Sequence, residues 1–355
     1  MVLQTIKGVI DMRICIPKEA YPLEKRVILL PSAVQQLREK NHDIYVQSGA
    51  GSGIDISDEA YLSAGATMLV DPRELYAIAS AVDEKPGMIM KVKAPLENEF
   101  SLMKDTILFC MFHSEQNPKN TYYAGLQNLI VVEMEQIRDH KNERLINQTR
   151  MTGEAGVLYA LRHSKKMPYD MKAVVLGYGN VSSGAVSVCS KLGIEYKILR
   201  KSEFKYVGEY LKEADLLING IAWPESARQK REYVVTREHI KNARPNLIIL
   251  DLSVDFPNPI ETIKPTDYSV PYYEEEKRIH ISVYGYPGLF PETSSKIYSE
   301  QALPMALLIA DNEGLRGIGN RGDLGAAIKK AILDPKKMDW EKYKPVDVTA
   351  GSKIE

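Results

Sequence analysis

The segment 172–200, KAVVLGYGNVSSGAVSVCSKLGIEYKILR, decides the fold, because it runs from strand to glycine turn to helix to strand without a gap. A dinucleotide-binding βαβ unit requires this context. Gly177 makes the tight turn, and Gly179 lets a pyrophosphate approach the backbone at the helix N-terminus. Ser182 stands at the third glycine position, where a small residue still allows close packing. The segment predicts a nucleotide site on a Rossmann-type domain.

The end of the second strand in this segment bears on the choice between NAD and NADP. An NAD site usually has an acidic residue there, about 20 residues after the glycines. This chain has Arg200, Lys201 and Ser202 instead, and two cations with a hydroxyl suit a 2′-phosphate. We therefore expect NADP(H); the alternative is a pair of solvated surface charges. The predicted cofactor residues are Gly177, Gly179, Asn180, Val181, Arg200, Lys201, Ser202, Gly220 and Ile221.

Short Val- and Ile-rich runs alternate with helical patterns on both sides of residue 150. This alternation is typical of α/β folds with mainly parallel sheets. We expect an α/β protein with two Rossmann-like domains and a cleft between them. The predicted nucleotide domain spans 141–300, the N-terminal part of a catalytic domain spans 1–140, and C-terminal helices occupy 301–355.

Composition narrows the class of partner. The 355 residues carry a net charge of -1, so bulk charge gives no reason to expect nucleic acid or a membrane surface. No apolar run reaches membrane-spanning length. Cys15, Cys110 and Cys189 lack disulfide or zinc spacing, which fits the reducing cytoplasm, and the histidines also lack ligand spacing. We expect no metal, and the sequence leaves open whether the chain is a homo-oligomer.

Several ordered motifs resemble those of one enzyme superfamily. The stretch 21–69, then IMKVKAPLENEF (89–100), TILFCMFHSEQN (106–117) and LDLSVDFPNP (250–259), are similar to the alanine dehydrogenase and lysine-forming saccharopine dehydrogenase superfamily. The likeness covers most of residues 12–310 and looks closest to carboxyethylornithine synthase. It implies hydride transfer between a nicotinamide and a C–N bond. It also implies that the chain returns after the nucleotide domain to pack a late helix on the catalytic domain.

The resemblance implies three catalytic residues, Lys93, His113 and Asp255. A lysine acts as an acid or base near neutral pH only when burial or a neighbouring cation lowers its pKa. Lys91 lies two residues earlier in the same predicted strand, on the same face by alternation, so Lys91 or Arg26 is the expected cation. An imidazole ordinarily titrates near neutrality, so His113 is expected to suit proton exchange. Without the resemblance, a lysine that extends to water is the ordinary interpretation of Lys93.

The expected substrate contacts are cationic. The resemblance places Arg26 and Arg144 on substrate carboxylates, although Arg26 also suits an ion pair with Glu19 or Glu24. Arg150 competes with Arg144, and Glu154 suits either a side-chain ammonium or solvent. Two arginines favour a product with two carboxylates. The predicted substrate-binding residues are Arg26, Lys91, Arg144, Arg150 and Glu154.

We therefore expect an NADPH-dependent oxidoreductase that reduces the imine formed from an amino acid, such as ornithine or lysine, and a 2-oxo acid, such as pyruvate. The product would be an N-(carboxyalkyl) amino acid. Alanine dehydrogenase and lysine-forming saccharopine dehydrogenase are the alternatives. A non-enzymatic dinucleotide-binding protein is a third, and the joint presence of Lys93, His113, Arg26 and Asp255 argues against it.

Overall fold

The computed structural model describes residues 12–81 and 87–345. The chain divides into two compact units: unit 1 runs to Asn147 and resumes at Pro291, and unit 2 is Gln148–Phe290. The sequence analysis placed these divisions after residues 140 and 300. No helix in the described ranges is long and apolar enough to cross a membrane.

The strands and helices alternate along most of the chain, as the sequence pattern predicts. The strands are β1 Arg13–Ile16, β2 Asp43–Gln47, β3 Thr67–Leu69, β4 Gly87–Lys93, β5 Ile107–Met111, β6 Ile130–Glu133, β7 Lys172–Leu176, β8 Glu195–Leu199, β9 Leu216–Asn219, β10 Ile248–Asp251, β11 Tyr273–Glu275, β12 Arg278–Ile281 and β13 Ile332–Leu333. The α-helices are α1 Pro31–Glu39, α2 Asp58–Ser63, α3 Pro72–Ser80, α4 Glu97–Phe100, α5 Pro118–Leu126, α6 Thr149–Leu161, α7 Asn180–Lys191, α8 Val207–Leu211, α9 Glu225–Gln229, α10 Arg237–Asn242, α11 Pro291–Asp311 and α12 Gly322–Lys330.

Unit 1 contains a seven-stranded sheet in the order β13-β6-β5-β4-β1-β2-β3. All its pairs are parallel except β13 with β6. The strand order reverses between β1 and β4, which are neighbours although β2 and β3 separate them in sequence. In open α/β sheets, ligands bind outside the carboxyl ends of the strands at such a reversal. This rule points to the residues that follow Ile16 and to Lys93, where β4 ends.

Unit 2 contains a six-stranded sheet in the order β11-β12-β10-β9-β7-β8. Its pairs are parallel except β11 with β12. The order reverses between β7 and β9, so Gly177, just after β7, and Gly220, just after β9, lie at the reversal. The expectation of two α/β units of Rossmann-like type with mainly parallel sheets is confirmed.

Apolar side chains cover both faces of each sheet, as expected for parallel strands. In β4 the even positions Met88, Met90 and Val92 pack with α1 and α11, whereas Ile89 packs on the opposite face with Tyr76 of α3. A lysine within such a strand therefore has to be accommodated by a specific polar partner. In β4 this requirement applies to Lys91 and Lys93.

Candidate active site

Lys93 is the last residue of β4, at the strand reversal in unit 1. Its ammonium lies 5.2 Å from the centre of the Tyr21 ring. Its backbone N–H donates to Glu19 Oε2 at 3.3 Å, and the preceding Val92 N–H donates to Oε1 at 2.6 Å. Glu19 and Tyr21 follow β1, so the loop after one strand holds the end of its neighbour in place.

The surroundings of Lys93 oppose its positive charge. Desolvation, followed by repulsion from Arg26, lowers the Lys93 pKa to about 8, and the carboxylates of Glu24 and Glu19 limit that fall. Glu19 is buried, and burial raises its pKa to about 7. Lys93 can therefore both donate and accept a proton near neutral pH, as general acid–base chemistry requires.

Lys91 has a carboxylate partner of its own, although Glu19 interacts electrostatically with both lysines. Its ammonium is 1% exposed and lies 2.5 Å from Glu99 Oε1, which also accepts a hydrogen bond from the Tyr76 hydroxyl. The pairing of β4 with β5 shifts register between Met90 and Lys93, which interrupts the alternation of faces. Lys91 thus forms a buried ion pair with Glu99, and a substrate contact of Lys91 stays a prediction. Of the two expected cations, Arg26 is the one that lowers the Lys93 pKa.

His113 follows β5 and adopts a left-handed backbone with φ of 54°. Glu135 stabilises this conformation, since it accepts the N–H groups of Phe112 at 3.2 Å and His113 at 2.5 Å. Desolvation and the positive charges of Lys93 and Arg144 lower the His113 pKa to about 4. The imidazole is therefore neutral at physiological pH, and it shares the electrostatic environment of Lys93.

Arg144 is the second predicted arginine near this cluster. It is half-buried, and desolvation together with repulsion from Arg138 lowers its pKa while Glu135 raises it. Within the described ranges its guanidinium makes no hydrogen bond or ion pair. A half-buried guanidinium that influences His113 is suited to hold a substrate carboxylate.

Arg26 is already engaged by the protein. Its Nε and Nη2 donate to the two carboxylate oxygens of Glu24 at 2.7 and 2.5 Å, and Nη1 donates to Ser294 Oγ at 3.4 Å. The Glu24 side chain is 0% exposed. The two parallel hydrogen bonds that Arg26 could give to a substrate carboxylate are made to Glu24, as in the ion-pair alternative, and a substrate contact of Arg26 stays a prediction.

Arg150 and Glu154 belong to α6 in unit 2 and pair with each other. The Arg150 Nε lies 3.1 Å from Glu154 Oε1, and Arg150 also donates to Ser187 Oγ. The Arg150 side chain is 63% exposed. This i,i+4 pair satisfies both charges within α6, and the expected substrate contacts of the two residues stay predictions.

The glycine loop of unit 2 has the geometry that a dinucleotide needs. Gly177 has φ of +75°, and a Cβ atom added to Gly179 would meet nothing within 4 Å. α7 begins immediately afterwards at Asn180, and Val181 and Ser182 follow in its first turn.

The loop after β9 packs against this turn. A Cβ atom on Gly220 would lie 2.1 Å from Ser182 Oγ, so the two backbones are in close contact. Ile221 approaches Gly177 from the neighbouring loop. The loop fits a nicotinamide dinucleotide.

The segment after β8 leaves its cations exposed. Arg200, Lys201 and Ser202 are all exposed at the carboxyl end of that strand. The next acidic residue is Glu203, which accepts the Arg200 N–H at 3.0 Å and pairs with Lys197 at 2.9 Å. Glu203 is thereby occupied within the protein, whereas the side chains of Arg200 and Lys201 make no hydrogen bond to the described residues.

Asp255 follows β10 in unit 2, beyond the buried Asp251. Its Oδ2 accepts the Trp223 N–H at 3.1 Å, and its Oδ1 lies 3.7 Å from Arg228. Its side chain remains 30% exposed. Asp251 instead accepts hydrogen bonds from the backbone N–H groups of Ser253 and Val254, as a buried carboxylate requires. Asp255 thus remains accessible at the same sheet edge as Gly177 and Gly220.

The carboxylates around Lys93 and His113 were not identified as site residues from the sequence. Glu19, Glu24 and Glu135 each bind a backbone N–H or a guanidinium that shapes this cluster. The spacing of Glu24 and Arg26 was a usable signal for their pairing. Glu135 lies 22 residues from His113, and only the alignment of β5 with β6 brings them together.

The comparisons with known proteins agree with this arrangement. Models of the N-terminal and C-terminal domains of alanine dehydrogenase/PNT match residues 15–154 and 196–328. An alanine dehydrogenase of Methanococcus maripaludis is 28% identical over 342 residues, which is 86% of this chain and 89% of that protein. One from Bacillus subtilis is 26% identical over 356 residues, 90% of this chain and 91% of that protein.

Solved structures share the fold. An L-alanine dehydrogenase superposes with a TM-score of 0.81 at 24% identity, covering 94% of this chain and 99% of that one. A transhydrogenase from Sinorhizobium meliloti gives 0.70 at 20% identity, covering 83% of this chain and 93% of that one.

The family matches and the two α/β units define a nicotinamide-dinucleotide-dependent oxidoreductase that acts on carbon–nitrogen bonds. The chain belongs to the alanine dehydrogenase superfamily. The superfamily and the enzyme class expected from the sequence motifs are thus confirmed. The closer likeness to carboxyethylornithine synthase stays a prediction.

Proposed function

We propose that the chain is an NADP(H)-dependent amino-acid dehydrogenase that reductively aminates a 2-oxo acid carrying one carboxylate. The observation that carries this proposal is which of the three predicted arginines already has a partner within the protein. Arg26 is bound by Glu24 and Arg150 is paired with Glu154, whereas the Arg144 guanidinium makes no hydrogen bond or ion pair to the described residues and acts on the pKa of His113. One available guanidinium suits one carboxylate. The alanine dehydrogenase names of the relatives support the same conclusion.

In this proposal unit 1 carries the proton chemistry and unit 2 holds the cofactor. Gly177 and Gly179 would cradle the pyrophosphate, and the cofactor supplies or accepts the hydride when bound. Arg144 would hold the substrate carboxylate. In reductive amination, the Lys93 ammonium would donate a proton to the carbinolamine oxygen, which leaves as water. In the reverse direction neutral Lys93 would accept that proton.

The neutral His113 imidazole would hydrogen-bond the substrate carbonyl or amine beside Lys93. Its pKa of about 4 means that it does not compete with Lys93 as a cation. Its role is therefore to orient the substrate and to relay a proton through a neutral ring. Asp255, partly exposed after β10 in unit 2, is the proposed contact with the reacting end of the cofactor.

Reduction of an imine between an amino acid and a 2-oxo acid is the second candidate. The observation that favours it is the cationic segment at Arg200 and Lys201, which departs from the acidic residue typical of NAD enzymes. The two-arginine argument no longer supports this candidate, because Arg26 and Arg150 are engaged elsewhere. The two candidates differ in the amine that reacts with the 2-oxo acid, which is ammonia in the first and an amino acid in the second.

The amine can be identified by following NADPH oxidation with pyruvate and with 2-oxoglutarate. Each 2-oxo acid is supplied with ammonium alone, then with ornithine, lysine or another amino acid. We expect turnover with ammonium as the sufficient amine. A strict requirement for an amino acid as the amine would replace our proposal with the imine-reducing candidate, and NADPH binding without turnover on any pair would favour a binding protein.

The cofactor preference rests on the exposed cations after β8. Removing both charges in an Arg200→Ala/Lys201→Ala variant should lower the kcat/KM ratio of NADPH to NADH by about tenfold or more, because charge-assisted bonds to the 2′-phosphate are lost. Lys205→Met, an exposed lysine in the same segment, is the matched control. An unchanged ratio in the double variant would assign the two cations to the solvated surface.

Cys15, Cys110 and Cys189 are buried free thiols. Burial raises the pKa of the Cys15 thiol to about 12 and that of Cys189 to about 11, so these groups are poor nucleophiles at neutral pH. This state supports the proposal of a reducing compartment such as the cytoplasm. Oxidative refolding should leave all three thiols reactive to a labelling reagent in denaturant.

A further inference from the structure

Unit 1 contains a cavity that the proposed chemistry does not use. Its volume is about 780 Å³, and the polypeptide from Leu315 to Asn320 forms much of its wall together with β13. Binding cavities for small molecules typically span about 300–1,000 Å³. None of Lys93, His113 and Arg144 lines it. The cavity is therefore large enough for a ligand of its own.

Some charged side chains that line this cavity have partners within the protein, and others have none among the described residues. Asp334 pairs with Lys337 at 2.8 Å, and Glu133 accepts the Ser114 N–H at 3.1 Å, so both carboxylates have partners. Arg316 and Lys329 are exposed, and their side chains make no hydrogen bond or ion pair within residues 12–81 and 87–345. The charges left available are positive. Burial also raises the pKa of Glu133, which reduces its opposition to an anion.

The backbone next to Arg316 and Lys329 is rich in glycine and has free space beside it. The segment RGIGNRGDLG, 316–325, places Gly317, Gly319 and Gly322 with the spacing of a dinucleotide loop, but it follows a helix rather than a strand. Gly317 and Gly322 have φ of +71° and +72°, and a Cβ atom at either would meet nothing within 4 Å. The Lys329 stem lies over Gly319, where a Cβ atom would come within 2.4 Å. This contact directs Lys329 along the loop that lines the cavity.

The remaining lining is mostly apolar, so a matching ligand also needs an organic part that covers this apolar surface. Its apolar members are Leu315, Ile318, Ile332, Leu333 and Met338. A free inorganic anion would use the two cations but leave this wall in water. An organic anion would cover it, and burial of apolar surface contributes about 25 cal/mol per Å².

We propose that this cavity binds a phosphate-bearing organic anion of mononucleotide size, with Arg316 and Lys329 on the phosphate and the apolar wall on its body. The site is separate from the glycine loop at Gly177 and does not depend on the proposed dehydrogenase activity. Asn320 also lines the cavity and supplies an amide for polar groups of the ligand.

The test is calorimetric titration of the full chain, saturated with NADPH, with uridine monophosphate, uridine and inorganic phosphate as probes. We expect uridine monophosphate to bind at one site and more tightly than either fragment. Arg316→Gln and Lys329→Met, which keep the side-chain stems, should each weaken binding by about tenfold. Lys330→Met, an exposed neighbour that does not line the cavity, should leave binding unchanged.

Three results would overturn the proposal. The first is no heat of binding with uridine monophosphate. The second is equal affinity for inorganic phosphate, which would remove the role of the apolar wall. The third is a loss of binding in Arg200→Ala with full binding in Lys329→Met, which would place the probe at the segment after β8.

Discussion

Lys93 combines a reactive position with a disfavoured charge. Burial and Arg26 lower its pKa to about 8, and Glu19 holds the adjacent backbone in place. Its neighbour Lys91 shows the alternative outcome, because a direct carboxylate partner satisfies its charge. The difference between these two lysines arises from their partners, which sequence alternation alone did not predict.

Replacing Lys93 should separate catalysis from cofactor binding. We expect Lys93→Met to lower turnover by about 100-fold or more, since proton transfer by a positioned side chain contributes at least that factor. NADPH affinity, measured by fluorescence titration, should stay within error because the cofactor loop belongs to unit 2. Lys104→Met, an exposed lysine of the same unit, serves as the control. Near-normal turnover in Lys93→Met would remove Lys93 from the chemistry.

The Glu24–Arg26 pair should matter more for stability than an exposed pair. Both side chains are almost completely buried, so Glu24→Ala leaves a buried guanidinium without its main partner. We expect the free energy of unfolding to fall by about 3–5 kcal/mol in denaturant titrations. The control is Lys212→Met, which breaks an exposed pair with Glu209 and should change little. Equal effects of the two variants would show that burial does not strengthen the Glu24–Arg26 interaction.

At the scale of elements, α6 and α7 pack so closely that glycine is required at their contact. A Cβ atom on Gly184 would lie 1.9 Å from the Arg150 carbonyl oxygen, and one on Gly153 would lie 2.0 Å from that of Val181. Because α7 begins at the cofactor loop, this contact fixes where the loop can sit. Gly153 and Gly184 therefore allow close helix packing, whereas Gly177 and Gly179 form the cofactor loop.

Two alanine substitutions can distinguish packing from cofactor access. Gly184→Ala should lower the free energy of unfolding by about 1–3 kcal/mol through overpacking. Gly179→Ala adds a Cβ into open space, so stability should be retained while NADPH affinity falls by about tenfold or more. Thermal unfolding and NADPH titration of both variants provide the comparison. Normal NADPH affinity in Gly179→Ala would contradict our placement of the pyrophosphate.

For the whole molecule, the sequence predicted most of the architecture because long apolar runs are informative. The alternation of Val- and Ile-rich runs with helical patterns predicted the alternating strands and helices of both units. The strands β3, β11 and β13 have only two or three residues each, too few to show a pattern in the sequence.

The site was only partly predictable for a different reason. Motif positions identified Lys93, His113 and Arg144, which the structure links electrostatically in unit 1. They left open whether Arg26 binds a substrate or pairs with Glu19 or Glu24, and they did not reveal that Arg150 and Glu154 pair with each other. Those outcomes depend on the direction of each side chain in three dimensions. A register shift between β4 and β5, which interrupts the regular pairing of the two strands, is likewise invisible in a list of residue types.

The most direct test of the central claim is the pH dependence of kcat/KM for the 2-oxo acid in NADPH-dependent amination, measured with the concentration of free ammonia held constant. A 2-oxo acid does not titrate in this range, so the profile reports on the free enzyme. Lys93 must be protonated to donate, and its pKa is lowered to about 8, so kcat/KM should fall above about pH 8. A profile that stays flat until about pH 10, where an unperturbed lysine titrates, would contradict the account.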